Sequence, residues 1–154
     1  MPLEETELIS PVDRIEISGL ESYDYLVYPV ENAAADKLCA LIETHDGRSS
    51  SRVKDLVDII IYATTSHIEG TKLQRLVHRE AKLRNIALPT TFHLPSDWDT
   101  LHNRQFKKLC TNTGVPEDLR SMEAATSLAG FLVIPAINST AIGRHWDPSM
   151  LRWE

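Results

Sequence analysis

The stretch Ser51-Arg52-Val53-Lys54-Asp55-Leu56-Val57-Asp58 decides the fold, because its apolar residues recur with the period of an amphipathic helix. The pattern extends to position 61, so the apolar residues are Val53, Leu56, Val57, Ile60 and Ile61, at i, i+3, i+4, i+7 and i+8. The sequence predicts a helix that begins at Ser50 or Ser51 and buries this side.

The opposite face of this helix carries Asp55, Asp58 and Tyr62, with Arg52 at its margin. Two interpretations are open for the carboxylates. Both face water, with Asp55 stabilised by the helix dipole, or both have cationic partners that offset their mutual repulsion. Arg52 and Lys54 oppose the dipole in the first turn, which favours a role in holding an anion or bracketing Asp55.

The preceding stretch, residues 31–41, predicts a second helix with one lysine inside its apolar pattern. Lys37 lies among Ala34, Leu38 and Leu41, so its stem can cover apolar surface while its ammonium reaches a cleft. An ordinary surface lysine is one interpretation, and a ligand for a triphosphate is the other.

The remaining elements predict an α+β fold that is predominantly helical. Two short strands form a hairpin at Arg14–Ile17 and Tyr25–Tyr28, and further helices follow Gly70, follow Ser96 and span Met122–Val133. Pro135 is expected to end the last helix, and the tail 144–153 is expected to be irregular, with its tryptophans packed on the helices. We expect one domain over residues 1–154, with the hairpin and motif-bearing helices in 1–65 and the helical remainder in 66–154.

Composition excludes several classes of protein. The formal net charge of −6 argues against indiscriminate polyanion binding, and no apolar run is long enough to span a bilayer. The acidic N-terminus lacks the pattern of a secretory signal, which predicts a cytoplasmic protein. Cys39 and Cys110 have no metal-ligand spacing and are expected to be buried thiols.

A basic stripe recurs along the helix after Gly70 and is a weak candidate for nucleic-acid binding. Its members lie at helical spacing and are Lys72, Arg75, Arg79 and Lys82. They could follow a phosphate backbone, although a solvated helix face is the plainer interpretation.

The Lys37 segment and the Arg52-x-Lys54-Asp55-x-x-Asp58 motif together resemble the AbiEii/AbiGii nucleotidyltransferase toxin family. The resemblance implies a polymerase-β-like fold that uses a nucleoside triphosphate and magnesium, with tRNA or another RNA as acceptor and an antitoxin-like partner, in bacteria. It implies that Lys37, Asp55 and Asp58 are catalytic residues and that Lys37, Arg52 and Lys54 bind the nucleotide.

One departure from the family pattern is evident in the sequence. The family carries a Gly-Ser turn and paired metal-binding carboxylates in its N-terminal half, and neither precedes the first predicted strand here, so no metal ligand is predicted. Asp97 and Asp99 are interpreted as residues that open a helix. We therefore expect a truncated or split transferase, inactive without another chain that supplies the catalytic half. The alternative is a non-enzymatic helical interaction module or homodimer that retains the fold.

Overall fold

Helices make up most of the described chain in the computed structural model, which describes residues 7–8, 26–27, 29–43, 52–94, 98 and 100–154. The helices are α1 (Val30–Ile42), α2 (Val53–Thr65), α3 (Gly70–Arg84), α4 (Thr100–Thr113) and α5 (Met122–Ile137), with a 3-10 turn at Glu117–Leu119. The prediction of a predominantly helical protein is confirmed. None of the described helices combines the length and apolar character that a bilayer span requires.

Within the described residues, five short strands form two small antiparallel sheets. β1 (Glu7–Leu8) pairs with β2 (Leu26–Val27). In the second sheet, β4 (His145–Asp147) lies between β3 (Ile68–Glu69) and β5 (Arg152–Trp153), with Trp146 opposite both Ile68 and Trp153.

The hairpin prediction is only partly tested. β2 confirms the second predicted strand, and its partner β1 lies upstream of the predicted first strand. Residues 14–17 and Ser96 lie outside the described residues. α2 begins at Val53, with Arg52 as its N-cap, and not at Ser50 or Ser51 as predicted.

The core forms where α2 meets three other helices. α1 packs against α2 and α3, while α2 also packs against α4 and α5. Side chains from all five helices are fully buried there, among them Leu38, Leu56, Ile59, Ile60, Leu73, Phe106 and Leu132. The predicted apolar stripe of α2 therefore faces the core, and Ile59 widens it.

Two predictions are wrong, one about Leu83 and one about the tail. Leu83, whose spacing of seven residues from Leu76 predicts a place on the inner face of α3, is 71% exposed, because it lies at the open edge of a small cavity that Asn32 and Ala35 of α1 also line. The tail is not irregular: it forms β4 and β5, whose backbone groups pair with each other and with β3. Its tryptophans do pack on the helices, as expected.

Pro135 lies inside α5 and does not end it, since the helix continues to Ile137. A proline lacks the N–H that would bond the carbonyl four residues earlier, here Phe131. The indole Nε1 of Trp153 donates to the carbonyl oxygens of Phe131 at 3.2 Å and Leu132 at 3.1 Å. The tail thus supplies the hydrogen bond that the proline removes.

The link between α2 and α3 is held from both sides. The buried carboxylate of Glu31 on α1 accepts a hydrogen bond from the Glu69 backbone N–H at 2.8 Å. The N–H of Gly70 donates to the carbonyl of Arg144 at 2.8 Å. This approach is so close that a Cβ at Gly70 would lie 2.0 Å from the Ala141 carbonyl oxygen.

Both cysteines are buried free thiols, as the sequence predicts. Burial raises the pKa of the Cys39 thiol to about 12 and also raises the pKa of the Cys110 thiol. Their thiolate fraction at neutral pH is therefore very small.

Candidate functional site

Lys37, on α1, contacts both of the carboxylates predicted on α2. Its Nζ lies 3.6 Å from Oδ1 of Asp55 and 3.3 Å from Oδ2 of Asp58. The i, i+3 spacing puts both carboxylates on one side of α2, and the packing of α1 against that helix places the ammonium between them.

The two other predicted basic residues extend this pair into a row of alternating charges. The guanidinium Nε of Arg52 contacts Oδ2 of Asp55, and Nζ of Lys54 lies 3.4 Å from Oδ2 of Asp58. We call these five residues, Arg52–Asp55–Lys37–Asp58–Lys54, the charged row. The charged row contains three positive and two negative side chains, so its formal net charge is +1.

Burial differs between the middle and the ends of the charged row. The side chains of Asp55, Asp58 and Lys37 are 2%, 16% and 24% exposed, whereas Arg52 and Lys54 are exposed. The interpretation that Asp55 faces water is therefore wrong, because α1 covers it. Removing one partner of a buried pair strands the other charge, so Asp55 needs its cations.

The pKa shifts of Lys37 and Tyr62 reflect the charges that surround them. Burial opposes the charge of Lys37, but the hydrogen bond and charge of Asp58, with the charge of Asp55, raise the pKa of this lysine overall. Burial, followed by the negative charge of Asp58, raises the pKa of Tyr62. Lys37 therefore stays protonated and Tyr62 stays neutral near pH 7.

The charged row does not fit a magnesium site. Each of its carboxylates is already contacted by two cations, and a divalent ion would have to displace Lys37 from between them. Across the described ranges, no group of three or more His, Cys, Asp or Glu side chains could hold a metal ion. Asp97 and Asp99 lie outside those ranges.

The basic stripe lies on α3, away from the buried face of that helix. Arg75 and Lys82 are exposed, and Lys72 and Arg79 are half-buried. The charged row, by contrast, spans α1 and the start of α2. The basic stripe and the charged row therefore lie on different helices.

Arg84 is a central charged residue whose contacts were not predicted. Its guanidinium lies 2.6 Å from Asp36, 2.9 Å from Glu43 and 2.8 Å from Glu80, which fastens the end of α3 to α1. The Glu80–Arg84 spacing of i, i+4 was the one local signal for it. Asp36 directly precedes Lys37, so this clamp fixes the same helix that presents the lysine.

Comparison with known proteins identifies the kind of protein to which the charged row belongs. A family model described as "Nucleotidyl transferase AbiEii toxin, Type IV TA system" matches residues 1–128. No curated protein and no solved structure matches significantly. The matched region contains all five members of the charged row and the basic stripe.

Proposed function

The chain belongs to the AbiEii nucleotidyl transferase toxin family of type IV toxin–antitoxin systems, and on this basis we propose that its charged row binds the phosphates of a nucleoside triphosphate. Toxin–antitoxin membership implies an antitoxin partner in general terms. We also propose that the chain has the polymerase-β-like fold of the family and that RNA is the acceptor. In this proposal the catalytic residues are Lys37, Asp55 and Asp58.

The observation that carries the proposal is the position of Lys37 between two carboxylates. Asp55 and Asp58 fix the ammonium, and on their outer sides they hold Arg52 and Lys54 at the surface. An anion at the start of α2 would meet these cations together with the positive end of the helix dipole. A cation set held in place in advance loses little conformational freedom when the phosphates bind.

We further propose that the transfer reaction needs metal-binding carboxylates from another polypeptide, as in a split or truncated member of the family. Magnesium supplies charge stabilisation at the attacking and leaving oxygens in such reactions. The charged row does not fit the ion, so the part assigned to this chain is to bind and orient the triphosphate.

Replacing Lys37 by methionine is expected to weaken binding of a labelled nucleoside triphosphate by roughly ten- to hundredfold. A hydrogen bond to a charged group contributes about 1.5–3 kcal/mol, and the substitution also disconnects the two carboxylates. Fluorescence anisotropy with each of the common nucleotides, with and without magnesium, measures the change.

The matched control is Lys107→Met, which removes an exposed lysine from α4 and the same formal charge. Circular dichroism of both variants checks that they fold. Equal affinity in the two variants would contradict the proposal and support the non-enzymatic interaction module. Robust nucleotide transfer to tRNA by the isolated chain would contradict the need for a second polypeptide, and transfer only with the neighbouring gene product would support it.

For the acceptor, we propose that RNA lies along the basic stripe of α3. The support is the placement of Arg75 and Lys82 on the exposed side of that helix, within the region that the family model matches. Cationic side chains spaced along one helix can contact successive phosphates.

Replacing Arg75 and Lys82 by glutamine is expected to weaken tRNA binding and to flatten its salt dependence. Each lost phosphate contact lowers the slope of log affinity against log salt by about 0.7–0.9, so the pair should lower it by roughly 1.5. A salt titration by filter binding measures the slope. Lys107→Gln with Lys108→Gln removes equal charge from α4, and an identical loss of slope there would refute the assignment.

A further inference from the structure

A groove with a cavity volume of about 800 Å³ runs between residues 90–94 and α5. Its apolar wall comes from both sides, and the residues are Phe92, Leu94, Met122, Phe131, Ile134 and Pro135. Gly130 lies along the same wall, where the lack of a side chain keeps the groove open. A cavity of this size suits a few large side chains or a small ligand.

The charge around this α5 groove is negative. Glu123 is exposed and lines the groove, and no lysine or arginine is among the described residues that line it. Glu117 and Asp118 are exposed in the 3-10 turn that packs against α5. Arg120 is the nearby cation in sequence, and its Nε donates to the carbonyl of Val115 at 2.7 Å.

Phe131 makes the apolar surface continuous across α5. Its side chain is 65% exposed and lines both the α5 groove and a second groove of about 330 Å³ beside Trp153. A large aromatic side chain exposed between two apolar depressions is typical of a protein interaction surface.

We propose that the α5 groove binds a segment of a partner protein that has apolar side chains flanked by lysine or arginine. The apolar wall receives the side chains, and the carboxylates at the start of α5 attract the flanking cations. A basic partner is also favoured by the net charge of −6 of this chain.

The surface goes beyond the proposed transferase function, since no member of the charged row lines it. Residues 130–135, which form much of its wall, follow the region that the family model matches. Partner binding here can therefore be tested independently of nucleotide binding.

The test uses a fluorescein-labelled amphipathic peptide with leucine at i, i+3, i+4 and i+7 and lysine elsewhere. A second peptide carries glutamate in place of each lysine. We expect the lysine peptide to bind about tenfold or more tightly than the glutamate peptide. Gly130→Leu and Ser127→Leu should each weaken its binding by a factor of about ten, because the new side chain fills the groove.

Several controls decide the result. Both positions can accept a side chain: at Gly130 a new Cβ meets the Cβ of Phe92 at 3.7 Å, an ordinary contact, and Ser127 is exposed. The two variants therefore test the groove at two separate positions. Gln105→Leu adds leucine to the exposed side of α4 and should leave peptide affinity unchanged. Undiminished binding in both groove variants would overturn the proposal. So would tight binding of the glutamate peptide, or a concentration-dependent dimer that Gly130→Leu abolishes.

Discussion

Replacing Trp146 by alanine is expected to lower the free energy of unfolding by about 3–5 kcal/mol, the cost of deleting a large buried aromatic side chain. Trp146 is fully buried and packs edge-to-face on Trp153, with ring centroids 5.6 Å apart. Its Nε1 donates to the carbonyl of Ala63 at 2.8 Å. That carbonyl belongs to the last turn of α2, where no helical N–H is left to bond it.

Urea denaturation followed by circular dichroism measures this loss. Trp146→Phe keeps much of the ring but removes the N–H, so it should cost about 1–3 kcal/mol for the unsatisfied carbonyl. Trp98→Ala is the matched control, since that ring is only half-buried and stacks on His102 at a centroid distance of 5.5 Å. An equal loss in the Trp98 variant would show that burial of Trp146 is not the cause.

Replacing Gly70 by alanine should also destabilise the protein strongly, at or above the upper end of the usual 1–3 kcal/mol for overpacking. The new Cβ would lie 2.0 Å from the Ala141 carbonyl oxygen and 2.9 Å from that of Arg144. Both contacts are with backbone, which cannot rotate away as a flexible side chain would. The backbone at Gly70 must therefore move away from Ala141 and Arg144.

The matched control is Gly130→Ala, the same substitution inside α5. With its nearest contact at 3.7 Å, this Cβ fits, and alanine is the better helix former by about 0.5–1 kcal/mol. Thermal denaturation should therefore show a lower melting temperature for Gly70→Ala and an unchanged or higher one for Gly130→Ala. Similar losses in both variants would refute the packing argument.

Local spacing was enough to predict the helices and the two carboxylates of the charged row. The positions of Val53, Leu56 and Ile60 identify the buried side of α2, and the same period puts Asp55 and Asp58 together on another side. These inferences need only neighbours within two turns.

Contacts between distant residues account for what could not be predicted. The burial of Asp55 depends on α1 covering it, and the contacts from Arg84 to Asp36 and Glu43 join different helices. The sequence predicts that Pro135 ends the helix, because proline has no N–H to bond the Phe131 carbonyl. In the structure the indole of Trp153, on β5, donates to that carbonyl instead. No periodicity in α5 indicates that indole.

The hydrogen bond from Trp146 to Ala63 also bears on how the chain folds. It joins residues 83 positions apart, and β4 places the same tryptophan opposite Ile68. Closing so long a loop costs entropy before its contacts compensate, which raises contact order and slows folding. During synthesis, the apolar side of α2 can be completed only after Trp146 has left the ribosome. Until then this surface is exposed to the association reactions that folding intermediates undergo.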